Sequence, residues 1–296
     1  MQTFVDSVVT RRQVLSLGSA LVAAASLAAC GGGNNANTAQ DAASTDDIKQ
    51  LTIEPGKLTV ATGEPAYEPW VMDDEPESGK GFEAAIIYKV AEKLGFGSKD
   101  VVWVRTTFEE AFAPGAHDWD LNIQQVSINE DRKKAVDFTP GYFFPTQSIV
   151  VLKDSPYAKA KSLADLADAT IAVQVGSTAY DYVKDLIKGK STEGIEPFND
   201  NADAAKAVAN GQVDAIVTDT PDAVVMAEFG QIENGVVVGQ IAGTEDEFGL
   251  GITLAKDSPL TKGVSDAVQA LLDDGTIDKL VQEWMAVYTT DIPTLD

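Results

Sequence analysis

Read from its apolar and polar positions, the chain alternates short strand-like runs with helical stretches. Residues 58–63 (LTVATG) form a short apolar run that stops at Gly63-Glu64-Pro65 and read as a strand. After Gly81, Phe82, Ala85, Ile86, Val90 and Leu94 recur at spacings of three and four, which predicts a helix with Gly95 as its C-cap. A strand at VVWVRT, a short helix at FEEAFAP and a strand at DLNIQQV follow. This βαβαβ order predicts a mostly parallel sheet covered by helices on both faces. The last of these strands runs into residues 124–134 (QQVSINEDRKK), a polar stretch at the carboxyl end, where open α/β sheets bind ligands.

The pattern restarts after Ser148. IVVLK reads as a strand, SLADLAD as a helix with Ser162 and Asp165 as its capping box, and TIAVQV as a strand. STAYDYVKDLI is predicted to be a helix starting on Gly176-Ser177-Thr178, NADAAKAVANG another, and VDAIVTD a strand ending at Asp219. VVVGQI and FGLGITLA are further extended runs. Two amphipathic helices close the chain, with Leu271, Leu272, Ile277, Leu280, Val281 and Trp284 on their apolar faces. A chain of 296 residues has room for two lobes. They are expected at 51–147 plus 247–296 and at 148–246, joined by crossing segments near Gln147 and Glu247.

Charge narrows the partners. Lys plus Arg total 22 against 46 for Asp plus Glu, a formal net charge of -24, which repels nucleic acid and anionic lipid. At the amino terminus Arg11 and Arg12 precede an apolar run from Val14 to Ala29, shorter than the roughly 20 residues of a spanning helix and typical of a signal peptide over 1–29. The run ends in Leu27-Ala28-Ala29-Cys30, which resembles the lipobox of bacterial lipoproteins. That resemblance implies cleavage before Cys30 and lipid on its sulfur, holding the protein to the outer face of the cell membrane by lipid alone. Cleavage removes two arginines and Asp6, moving the charge from -24 to -25. Thr10-Arg11-Arg12 leaves the export route open between the general and twin-arginine pathways. Residues 31–50, rich in Gly, Asn, Ala and Ser, are expected to be a flexible tether spanning about 25 Å.

Three strand ends carry complementary groups: Ser127 and Arg132, then Ser177 and Thr178, then Asp219. A guanidinium suits bidentate capture of a carboxylate, a helix N-terminus favours an anion, and an aspartate suits an ammonium. Together they fit a zwitterion. The competing reading makes Arg132 a surface residue paired with Glu130 or Asp131.

The sequence resembles the bacterial solute-binding proteins of ABC importers for polar amino acids. The likeness covers most of residues 55–286. It rests on EPAYEPW at 64–70, Gly81-Phe82, SINEDR at 127–132, VDFT at 136–139, QVGST at 174–178, VDAIVTD at 213–219, and Asp274-Gly275-Thr276-Ile277 with Trp284. It implies a two-lobed periplasmic-binding-protein-like α/β fold, with mixed, mostly parallel sheets joined by two hinge segments. It also implies that Arg132 and Thr178 grip a ligand carboxylate, that Asp219 and Ser127 hold its ammonium, and that Tyr67 and Trp70 line the side-chain pocket. Glu64 stands where some members that bind cationic amino acids carry an acid. Asn129 replaces a usual threonine, Gln124 and Gln125 replace small residues, and only Glu83 remains of two alternating aspartates; Asn129 and Gln125 therefore join the candidate site.

The implied partners are a free amino acid and ABC permease subunits, with the protein acting as a monomer. No catalytic residue, cofactor or metal is expected. His117, the single histidine, reads as a solvated loop residue, and Trp103, Trp119 and Trp284 as packing. Two alternatives share the fold: a dehydratase for a prephenate-like acid, with Glu64 as its general acid, and a sensory lipoprotein.

Overall fold

The computed structural model describes residues 45–288 and 292–296. The expected signal peptide, Cys30 and residues 31–44 of the tether lie outside the described residues. The tether reading overran at its far end. Residues Thr45–Gln50 form helix α1, whose Ile48 is buried in the first core and whose Lys49 lies over the Phe96 ring at 5.8 Å.

In the first sheet, β1 (Leu58–Gly63) is buried along almost its whole length, as a strand covered on both faces requires. It pairs in parallel with β2 (Val101–Thr106) and β3 (Leu121–Asn122). A returning strand, β10 (Thr253–Ala255), runs antiparallel between β3 and β4 (Val136–Phe138), giving the order β2-β1-β3-β10-β4. Helix α2 (Phe82–Lys93) buries the face read from the sequence. Ile86, Ile87 and Val90 pack with Val264, Val268 and Leu271 of α7 (Thr261–Asp273) and with Ile277 and Leu280 of α8 (Thr276–Leu280).

In the second sheet, β5 (Gln147–Leu152) runs antiparallel to β9 (Gly235–Ile241) and β8 (Ala215–Asp219), and β8 continues in parallel through β6 (Ile171–Gln174) to β7 (Ile195–Phe198). Successive side chains of a strand point to opposite faces. Accordingly Ile149 and Val151 join one core while Val150 joins the other, which explains the unbroken apolar run at 149–152 of β5.

Further expectations needed adjustment. The DLNIQQV strand keeps only Leu121–Asn122, because Gln125 adopts φ 57 and turns the chain out of the sheet. SLADLAD makes a single tight turn, Leu163–Leu166, although its Ser162 and Asp165 capping box forms. Helix α4 keeps regular α-geometry only over Thr178–Tyr182 and continues to Ile187 as a looser turn. The last residues do not stay with the first lobe. β11 (Thr294–Leu295) pairs in parallel with β9 at the edge of the second sheet, so the chain passes between the lobes three times rather than twice.

Candidate functional site

The carboxyl ends of β1, β6 and β8 and the amino end of the antiparallel β5 converge on a cavity of about 120 Å³ between the lobes. Arg132 enters it from the start of a one-turn helix, α3 (Arg132–Ala135), and is only 6% exposed. Asn129 sets that turn: its Oδ1 accepts from the Arg132 backbone N at 2.8 Å and its carbonyl from Lys133 N at 3.0 Å. The guanidinium donates through Nη1 to the Ser127 carbonyl and through Nη2 to the Gly176 carbonyl, both at 2.8 Å, and stacks 4.3 Å from the Phe112 ring. Burial pulls its pKa down to about 10, so it stays charged. Glu130 and Asp131, the sequence's rival partners, pair instead with Lys133 and Lys134 at 2.8 and 2.6 Å. Arg132 thus has no carboxylate partner among the described residues, and it lines the cavity.

Asp219 ends β8 opposite, and its Oδ1 accepts from Gln147 Nε2 on the neighbouring strand β5. Burial raises its carboxyl to about 7, with Asp246 adding to the shift and Arg132 opposing it. The next helix, α6 (Thr220–Glu228), brings Asp222 into the cavity wall. Burial drives the Asp222 carboxyl well above the usual range, and the neighbouring Asp219 raises it further. Behind the wall Glu83, on the first turn of α2, accepts from Gln125 N at 2.8 Å, from Gln125 Nε2 and from the Tyr142 hydroxyl. Burial raises Glu83 to about 7. Glu83 therefore holds Gln125 in the turn that places it in the cavity.

Of the residues singled out from sequence, Glu64, Tyr67, Gln125, Ser127, Arg132, Ser177, Thr178 and Asp219 line the cavity. Trp70 and Asn129 do not. Trp70 is fully buried in the first core, against Phe82 and Phe143, and reaches the cleft only through its Nε1, which donates to Asp222 Oδ1 at 2.9 Å. Asn129 is spent on the turn that carries Arg132. Sequence reading missed Gln147, Asp222 and Thr62. Gln147 and Asp222 stood beside residues already noted, at a strand start and three places after Asp219, and polarity at those places was the available signal. His117 is half-buried and stacked on Trp119 at 4.0 Å rather than solvated. No His/Cys/Asp/Glu group fit to hold a metal occurs among the described residues.

The lobes touch across this cavity. The Arg132 bond to Gly176, the Trp70 bond to Asp222 and a 3.3 Å bond from Ala202 N to the Tyr67 hydroxyl each join one lobe to the other. Two α/β lobes closed on a polar cavity, with facing cationic and anionic walls, are the architecture of a two-lobed solute-binding protein. The pattern of the bacterial extracellular solute-binding proteins, family 3, matches residues 58–287, and the chain belongs to that family. The arginine-binding periplasmic protein of Mannheimia haemolytica is 27% identical over 227 residues, covering 75% of this chain and 89% of that one. An ancestral arginine-binding protein bound to arginine superposes with a TM-score of 0.65 at 31% identity, covering 78% of this chain and 99% of that one. The ancestral amino acid-binding protein AncCDT-1, a precursor of cyclohexadienyl dehydratase, gives 0.63 at 32%, covering 82% and 99%. The curated relatives are named as binding proteins. No helix among the described residues is long and apolar enough to cross a membrane.

Proposed function

We propose that this protein closes on a free L-amino acid outside the cytoplasm and delivers it to the permease of an ABC importer, held at the membrane by lipid on Cys30. Arg132, helped by Thr178 and the start of α4, takes the α-carboxylate. Asp219, with Ser127, takes the α-ammonium. One observation carries this reading: a guanidinium without a carboxylate partner and a carboxylate without a cationic partner line one cavity. Each buried charge costs several kcal/mol to leave unpaired, roughly, and a zwitterion satisfies both. Names of relatives agree with it, including binding proteins for arginine, cystine and glutamine.

The reading assigns no chemical step. The dehydratase alternative relied on Glu64 as proton donor, but Glu64 is exposed at the cavity rim and lacks the burial that tunes a general acid. Titration calorimetry against free amino acids tests the proposal. Micromolar or tighter binding that disappears in Arg132→Ala supports it; binding to no amino acid, or binding indifferent to that substitution, overturns it. Globomycin-sensitive processing and labelling of Cys30 with palmitate test the anchor separately.

A further inference from the structure

We propose that the cleft selects an amino acid with a cationic side chain and that Asp222 is the residue that selects it. The inference rests on the amino-acid reading above. Once Arg132 and Asp219 are matched by the ligand's α-groups, the rest of the cavity decides which side chain fits.

Asp222 is 5% exposed and forms part of the cavity wall. Its Oδ1 is fixed by one neutral donor, Trp70 Nε1, at 2.9 Å. The charged groups acting on it are Asp219 and Glu83, both acidic, and it makes no ion pair with Lys or Arg among the described residues. The indole N–H and the residue's own backbone N–H are neutral donors and do not neutralise a buried carboxylate. With Asp219 assigned to the α-ammonium, Asp222 is a second buried carboxyl with no Lys or Arg beside it among the described residues, and a ligand cation would stabilise its ionised form.

The surrounding polar atoms point the same way. Gln147 is 3% exposed, and donation of its Nε2 to Asp219 leaves its Oε1, an acceptor, buried without a partner. Thr62, 1% exposed, has a hydroxyl in the same condition. Both line this cavity. A buried acceptor left unmade costs roughly 1–3 kcal/mol, so an aliphatic side chain wastes these atoms and a carboxylate, which has no donor, cannot pair with the Gln147 acceptor. Guanidinium and ammonium groups carry donors only and fit them. The other acids of the wall are less suited: Glu64 is exposed, and Asp200 is occupied in capping α5 (Asn201–Ala209), accepting from Asp203 N at 2.8 Å. Because Trp70 reaches Asp222 from the opposite lobe, the carboxylate takes its place as the lobes meet, and side-chain selection is coupled to closure.

Citrulline, a neutral isostere of arginine, separates side-chain charge from everything else. In calorimetry, L-arginine or L-lysine is expected to bind at least about tenfold more tightly than L-citrulline, and in Asp222→Asn that ratio shrinks to within about threefold. Burial holds the empty-site carboxyl high, so a cation also draws off a proton, and titrations in buffers of different ionisation enthalpy show more proton release for arginine than for citrulline. Groups facing Asp222 in that measurement are Asp219, Glu83, Tyr67 and Trp70. Should Asp222→Asn not fold, the wild-type ratio and proton release decide alone. A neutral amino acid binding as tightly as arginine and lysine, or an unchanged ratio in Asp222→Asn, overturns this inference and leaves the amino-acid reading intact. Binding of no amino acid at all overturns both.

Discussion

The Arg132 guanidinium in one lobe donates to the Gly176 carbonyl in the other at 2.8 Å, so the residue that would hold a ligand also holds the lobes together. Gly176 has φ +73, and a Cβ there would lie 3.3 Å from Glu109 Cγ and 3.4 Å from Phe112 Cζ across the cleft. Gly176→Ala is expected to lower stability by about 1 kcal/mol through backbone strain. It should also weaken ligand affinity, since the contact with Phe112 forms only when the lobes meet. Thermal melting with and without ligand separates the two effects.

Arg132→Lys keeps the charge and loses the fork. Its stacking on Phe112 and its paired donation to Ser127 and Gly176 depend on a planar guanidinium. Affinity should fall by about a hundredfold, roughly 3 kcal/mol, and melting of the unliganded protein should also drop, because the buried bonds to Ser127 and Gly176 are lost. A lysine variant that binds normally would mean that charge alone suffices.

Asn129→Ala should cost about 1 kcal/mol of stability, as loss of a helix cap does, while leaving the order of preference among ligands unaltered. A changed order, read by competition calorimetry, would return Asn129 to the binding surface.

The unliganded protein should lose stability as pH rises from about 5 to 8. Glu83 and Asp219 have folded pKa values near 7, above those of the unfolded chain. Through that window the folded state binds more protons than the unfolded one, so stability falls with pH. For Glu83 the effect is on the order of 3 kcal/mol. Facing groups are Asp219, Tyr142 and Gln125 for Glu83, and Asp246, Gln147 and Arg132 for Asp219. Acids with lowered values, such as Asp274 at about 2, act below this window. Urea titrations at several pH values should show the decline, and Glu83→Gln should flatten it.

Periodicity made both lobes legible, because their strands and helices bury regular faces: the α2 spacing and the apolar run at 149–152 in β5 led directly to observed elements. Arg132 and Asp219 were singled out because they follow strand ends, and the structure puts both in the cavity wall. What escaped depends on contacts between distant residues. Trp70 looks like a pocket aromatic in sequence, yet its ring is in the core and only one N–H reaches the cleft, 152 residues from its acceptor. Gln125 looks like part of a strand, and only its bonds to Glu83 explain why the chain turns there. Asn129 reads as polar decoration of a site and serves the backbone instead.

The third passage between the lobes limits how far they can part. Met285 is fully buried in the first core, and Tyr288 packs on Phe229 of the second lobe with ring centroids 5.3 Å apart. Three residues of chain span at most about 10 Å, so these two points travel together through any opening. Beyond them β11 is stitched to β9. Three crossings tether the lobes where two would leave them freer to slide, and an opening that keeps these contacts has to stay within the short reach between Met285 and Tyr288.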